Sequence, residues 1–303
     1  MSLERFVKNK PATPPPSADT ASGVVLLIGA QSVRCGGAGT AAFVLQRLGF
    51  QVWHVPTALV PWSEAFGSCP EVAVQDADFK ALIDSLIAAP WLSEVRGVLS
   101  AQLANAAQGA ELARLVRAVK EKRTEAKFVC ASGARVGRQS SDLAFFEMLT
   151  QTLVPLADCM FLNSAELAQL SGFSTDMEQD AVAAARCLGS ALTVITSAPA
   201  LRRNCTANIL VEPGQATIVE HAQVANAPEG AGGVLAALFY ARLLEGMDPV
   251  SAVKKATASV FELMARSVKM QGDELLIPQN QAVLLQPMAL INARRIMEAP
   301  ARA

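Results

Sequence analysis

Two stretches of the chain have residue types and spacings suited to phosphate chemistry or to capping a helix. Gly230-Ala231-Gly232-Gly233 runs directly into Val234-Leu235-Ala236-Ala237-Leu238-Phe239. Glycines followed at once by a helix-forming apolar run read as a loop feeding a helix N-terminus. The first backbone N–H groups of a helix have no intrahelical acceptor, and its dipole is positive there. Gly230, Ala231 and Gly232 are therefore candidates for an anion hole. A tight turn with close helix packing is the alternative reading of the same glycines. The second stretch, Asn163-Ser164-Ala165-Glu166, has the amide-to-carboxylate spacing of a capping box. Thr196 and Ser197 put two hydroxyls at the end of a predicted strand, where such side chains also cap turns.

Bulk properties narrow what these residues can serve. Of the 303 residues, 51% are hydrophobic and 17% charged, so much of the chain must be interior or interface. A net charge of −1 leaves no electrostatic footprint for nucleic acid or an anionic membrane surface. Apolar runs such as Gly23–Ala30 are far shorter than the roughly 20 residues that span a bilayer, so a soluble, cytoplasmic protein is expected. Residues 1–22, with Lys8, Lys10 and Pro14-Pro15-Pro16, lack the apolar region of a secretory signal and read as a disordered leader. Cys35, Cys69, Cys130, Cys159, Cys187 and Cys205 form no CxxC pair, and His54 and His221 are the only histidines. That pattern favours reduced thiols over a zinc site.

The elements that must position the candidate residues alternate between strand and helix. Strands are predicted at 24–28, 51–55, 97–100, 127–131, 159–162 and 192–196. Helices fall at 38–48, 78–88, 111–122, 143–153, 165–170 and 180–188. A hairpin over 207–211 and 216–221 turns at Glu212-Pro213-Gly214-Gln215, and helices at 233–245, 249–268 and 279–286 follow. This rhythm implies a mostly parallel sheet with right-handed crossovers and helices on both faces, in one domain over 23–303. Ligands in such sheets bind beyond the carboxyl ends of the strands. The loops expected there include 30–39, 57–67, 100–108, 131–139 and 226–233.

Several of these segments, in order, resemble the pyridoxal kinases of the ribokinase-like superfamily. Gly36-Gly37-Ala38 through Val52-Trp53 is similar to the family's first helix and second strand, and Ser100–Glu111 to its G-Y-L-G and Q-G-E loop. Lys127-Phe128-Val129-Cys130 is similar to the strand before D-P-V-M-G, and Asn163-Ser164-Ala165-Glu166-Leu167 to P-N-x-x-E-L. Gly230–Gly246 resembles G-T-G-D with its helix, and Ala256–Gln286 the C-terminal helices. The resemblance spans nearly all of 23–287. It implies a ribokinase-like three-layer α/β/α sandwich, commonly a homodimer, that uses ATP and Mg²⁺ to phosphorylate the pyridoxal 5′-hydroxyl. It also implies that Asn163 and Glu166 help hold metal and phosphate-bound water, with Glu166 on the metal, and that Thr196 and Ser197 meet nucleotide phosphate.

Departures from the family pattern fall in separate loops. Gly233 stands where the family has its catalytic Asp, and glycine can neither take a proton nor orient a hydroxyl. Glu229 lies nearby, but the turn is not expected to aim it at that position. D-P-V-M-G becomes Ala131-Ser132-Gly133-Ala134-Arg135, which removes the acid on the cation side. Arg135 and Arg138 there either meet an anion or are simply solvated. The substrate segment F-S-N-H-T falls on Val60-Pro61-Trp62-Ser63-Glu64, where Trp62 either stacks on a ring or forms an apolar loop tip near a dimer interface. Ser100-Ala101 replaces Gly-Tyr, removing a pocket tyrosine. Three functions follow as expectations: a catalytically impaired pyridoxal kinase homologue, a non-catalytic nucleotide- or B6-binding regulatory pseudokinase, or a kinase for a different small substrate.

Overall fold

The computed structural model describes residues 23–34, 36–63, 66–131, 133 and 142–296. The leader over 1–22 lies outside these residues, as do Arg135 and Arg138. Ten strands form one sheet among the described residues: β1 (Val24–Arg34), β2 (Gln51–Trp62), β3 (Val72–Ala73), β4 (Val95–Ser100), β5 (Lys127–Ala131), β6 (Cys159–Asn163), β7 (Thr193–Ala198), β8 (Cys205–Glu212), β9 (Gln215–Ala222) and β10 (Asn292–Arg295). Their order is β10-β9-β8-β7-β6-β5-β4-β1-β2-β3. The run from β7 through β4 to β1 and β2 is parallel, while β8, β9, β10 and β3 add antiparallel edges.

The strand sequences explain why both faces are covered. In β1, Val24, Leu26 and Ile28 pack into one core while Val25 and Leu27 pack into the other. A continuous apolar run alternates its side chains between the two faces, so both must be shielded from water. One face is covered by α2 (Asp76–Ile87), α3 (Ala106–Lys122), α4 (Asp142–Met148), α5 (Ser164–Ser171) and α6 (Glu178–Leu188). The other is covered by α1 (Gly37–Arg47), α7 (Ala231–Leu244) and α8 (Pro249–Lys269). The result is the expected three-layer α/β/α sandwich. Helix α7 is buried almost throughout from Val234 to Arg242, in keeping with its unbroken apolar sequence.

Several boundaries differ from the sequence expectation, for local physical reasons. β1 continues through a register shift to Arg34 and β2 to Trp62, so much of 30–39 and Val60–Trp62 is strand rather than loop. The two extensions pair with each other, Ser32 opposite Val60 and Arg34 opposite Trp62. Backbone pairing thus carries them past the end of the apolar pattern. The helix expected over 143–153 is α-helical only to Met148 and widens into a π turn over Leu149–Leu153. Pro155 follows, and its missing N–H and its ring disfavour a regular last turn. The hairpin between β8 and β9 turns at Pro213-Gly214, with Glu212 opposite Gln215.

The sheet also fixes where a ligand fits. After β1, the chain builds β2 and β3 on one side, then β4 on the other, so the direction of winding reverses between β1 and β4. The crevice beyond the carboxyl ends at such a reversal is the usual ligand position in this class of sheet.

Candidate functional site

A cleft of about 250 Å³ opens at that reversal. Its floor is formed by strand ends: Ser100 and Ala101 after β4, Ala131 on β5, Asn163 on β6 and Thr196 on β7. Its walls are two helix starts, Gly37 and Thr40 from α1 and Gly230, Gly232 and Gly233 from α7. Gly230 is the N-cap of α7 with φ 96°, a left-handed conformation that glycine reaches without strain. Gly36 lies against it, near enough that a Cβ built on Gly230 would sit 3.5 Å from the Gly36 Cα. The α7 start thus borders the cleft, where the first N–H groups of a helix have no intrahelical acceptor.

Gly233 occupies the first turn of α7, is exposed, and a Cβ built there meets nothing within 4 Å. The backbone leaves room for a side chain that the sequence does not supply. Asn163 caps α5 in a complete capping box. Its Oδ1 accepts from Glu166 N at 2.9 Å, and Glu166 Oε2 accepts from Asn163 N at 2.7 Å. Glu166 is buried and is the only carboxylate lining the cleft among the described residues. Ser100 Oγ is buried beside the thiol of Cys130, its partner across the sheet, which is its one hydrogen-bonding neighbour. Burial pushes the Cys130 thiol up to about 12, so it stays neutral.

Of the residues singled out from sequence, Gly230, Gly232, Gly233, Asn163, Glu166 and Thr196 line one cleft. Ala231 and Ser197 do not line it. Ser197 is exposed and holds the left-handed φ of 52° at the end of β7. Trp62 and Ser63 also lie outside. Trp62 donates Nε1–H to Gly67 O at 3.2 Å and stays partly exposed, while Ser63 donates to Glu229 Oε2 at 2.6 Å. Glu229 does not line the cleft either. It faces a second, neighbouring chamber of about 380 Å³, which shares Thr40 with the cleft. Gln31 and Ser32 fall in the 30–39 stretch expected near a ligand, and Glu274, Leu275 and Ile277 in the C-terminal segment, but the sequence assigned none of them a role. No short motif marks them, because the chamber is assembled from β1, α1 and the segment after α8.

A protein-held divalent cation does not fit this donor set. Glu166 is the one cleft carboxylate and is tied to its own helix start, and Ala131 brings no acid. The described residues contain no group of three or more His, Cys, Asp or Glu able to hold a metal.

Comparison with known proteins agrees with this geometry. Residues 105–276 match the sequence model of the family described as phosphomethylpyrimidine kinase, more than half of the chain. A pyridoxal kinase of Corynebacterium diphtheriae is 26% identical over 268 residues, covering 86% of this chain and 94% of that protein. One of Paraburkholderia phymatum is 29% identical over 239 residues, covering 74% and 81%. The fold superposes on the pyridoxal kinase of Leishmania donovani, solved with ADP and pyridoxamine, at a TM-score of 0.82 with 21% identity, over 91% of this chain and all of that one. The Trypanosoma brucei enzyme gives 0.81 with 21% identity over the same shares. From its matched segments and its helix-start cleft at the reversal of the sheet, this chain belongs to the pyridoxal kinase family of the ribokinase-like superfamily.

Proposed function

We propose that this protein binds a nucleotide and a small pyridoxal-like molecule at the cleft between α1 and α7, and that phosphoryl transfer between them is impaired. The observation that carries this reading is Gly233. It stands in the first turn of α7, faces the cleft with open space where a side chain would project, and offers no group to take a proton. Phosphoryl transfer rests on positioning, on electrostatic stabilisation and on a residue that receives the acceptor hydroxyl's proton. Losing that residue costs about 10²–10⁴ in rate.

The parts that serve binding support retention of the ligand. Gly230 and Gly232 present the helix start, and Asn163, Glu166 and Thr196 line the opposite side. ATP is the proposed nucleotide, and Mg²⁺ would arrive on its phosphates rather than in a protein cage. No step here depends on that ion. Action in the cytoplasm as a homodimer belongs to the same proposal.

The test is a turnover assay together with a binding measurement. Purified protein with Mg²⁺, ATP and pyridoxal should give little pyridoxal phosphate by absorbance. Calorimetry should still record binding of a non-hydrolysable ATP analogue. Rapid turnover by the unmodified chain would overturn the impairment, and absence of nucleotide binding would overturn the retained cradle.

A further inference from the structure

A groove of about 450 Å³ lies apart from the cleft and the chamber and shares no lining residue with either. It runs between the first half of α8 and the segment over 286–291. Ser251, Lys254 and Lys255 line it from one stripe of α8, because residues three and four apart share a helix face. Gln286 adds a side-chain amide, and Met247, Pro287 and Ile291 supply apolar walls. The far wall is pinned to α8. Glu262 Oε2 accepts from Met288 N at 2.7 Å and from Ala289 N at 3.3 Å, while Oε1 of the same carboxylate pairs with Arg266.

Positive charge gathers here without contact neutralisation. Among the described residues no aspartate or glutamate lines the groove, and neither lysine forms an ion pair. Arg242 adjoins the lining: its carbonyl accepts from Met247 N at 2.9 Å, and its Nη2 donates to Leu284 O at 2.8 Å. This guanidinium is buried, its Nε has no hydrogen-bond partner, and it too forms no ion pair among the described residues. Burial, and after it the like charge of Arg242, hold the Lys255 ammonium below its ordinary range. Glu245 pulls the other way without lining the groove. Asp248, the N-cap of α8, is spent in part on Ser251 N, which it accepts at 2.9 Å.

We propose that this groove is a binding site for a small organic phosphate monoester, with its phosphate on Lys254 and Lys255 and its apolar body against Met247, Pro287 and Ile291. The phosphate oxygens accept from two ammonium groups, and the Ser251 hydroxyl and the Gln286 amide are further donors on the same lining. A bound anion also offsets the repulsion between Lys255 and Arg242. No arginine lines the groove among the described residues, so the planar fork that grips a carboxylate is absent. Lysine instead serves phosphate as a point charge. The site stands apart from the cleft reading, since it needs neither nucleotide nor turnover.

The experiment titrates the full chain by calorimetry with phenyl phosphate, inorganic phosphate and benzoate. Phenyl phosphate should bind about tenfold more tightly than inorganic phosphate, through the ring's burial on the apolar wall, and about tenfold more tightly than benzoate. Lys255→Met keeps the apolar stem and removes the charge. It should weaken phenyl phosphate about tenfold, the scale of one charge-assisted hydrogen bond. Adding Lys254→Met should remove measurable binding. An unchanged urea midpoint in both variants reports that they fold. Phenyl phosphate binding that survives the double variant, or that the unmodified chain lacks, would overturn the site. Equal affinity for benzoate would overturn the choice of phosphate, and equal affinity for inorganic phosphate would overturn the role of the apolar wall. If phenyl phosphate binds as expected but the ATP analogue does not, the nucleotide reading fails and the groove stands.

Discussion

The cleft and the chamber meet at Thr40, beside the Gly36–Gly230 contact, yet they are built differently. The cleft is framed by helix starts and glycines, so backbone N–H groups dominate it and an anion is favoured. The chamber is lined instead by side chains: Glu229, Glu274 already paired with Arg34, the Gln31 amide, and hydroxyls whose protons are spent on backbone carbonyls. Under the proposed function, Gly233 on the cleft side is the position that offers no group to move the proton. The contrast separates binding, which backbone geometry can retain, from chemistry, which needs one particular side chain.

The variant that breaks this contrast most strongly is Gly233→Asp. Open space at the position and the favourable first-turn dipole should let the fold accept it. Turnover of pyridoxal with ATP should rise by about 10²–10⁴ if the base alone is missing. An unchanged rate would mean that the acceptor is not held in line with the phosphate.

Gly230→Ala attacks the cleft from the backbone side. Its φ of 96° is strained for any L side chain, so the substitution should cost about 1–3 kcal/mol in urea denaturation. Affinity for the ATP analogue should fall with it. Asn163→Ala removes the cap of α5 and should cost about 1 kcal/mol by the same measurement. Loss of ATP-analogue affinity beyond the stability effect would show that Asn163 also meets the ligand.

Ser63→Ala works on the chamber alone. Losing the hydrogen bond to Glu229 should cost about 1 kcal/mol or less in urea denaturation and leave nucleotide binding intact. The smallest change is expected from Ser100→Ala. It deletes a buried hydroxyl whose one neighbour is the weakly hydrogen-bonding Cys130 thiol, so stability should change by about 1 kcal/mol or less. A drop in nucleotide affinity in that variant would show that Ser100 reserves its hydrogen bond for the ligand.

Legibility of the fold followed the strength of the local signal. Lys127–Ala131 was readable to the residue because an apolar run lies between a helix stop and a loop, and α8 because Asp248-Pro249 opens an amphipathic stretch. β10, with the sequence Asn292-Ala293-Arg294-Arg295, carries no apolar alternation and went unread. It is held by pairing with β9 and by Arg294 reaching the buried Glu178 and Glu220. The two-residue β3 likewise gave no pattern; it exists because β2 runs on to meet it.

The cleft was largely legible, since glycines before an apolar helix and an Asn-x-x-Glu box are local signals. The chamber was not. Its lining comes from β1, α1, the turn before α7 and the segment after α8, and no local pattern links them. The sequence by itself determined the alternating architecture, the glycine-opened helix start and the absence of a side chain at position 233, because each is written in contiguous residues. Only the tertiary structure decided that Glu229 faces away from the cleft into a separate space, that Ser63 meets it, and that Ser32 and Thr40 have already spent their protons. Those facts depend on how distant segments pack and on where each hydrogen bond points.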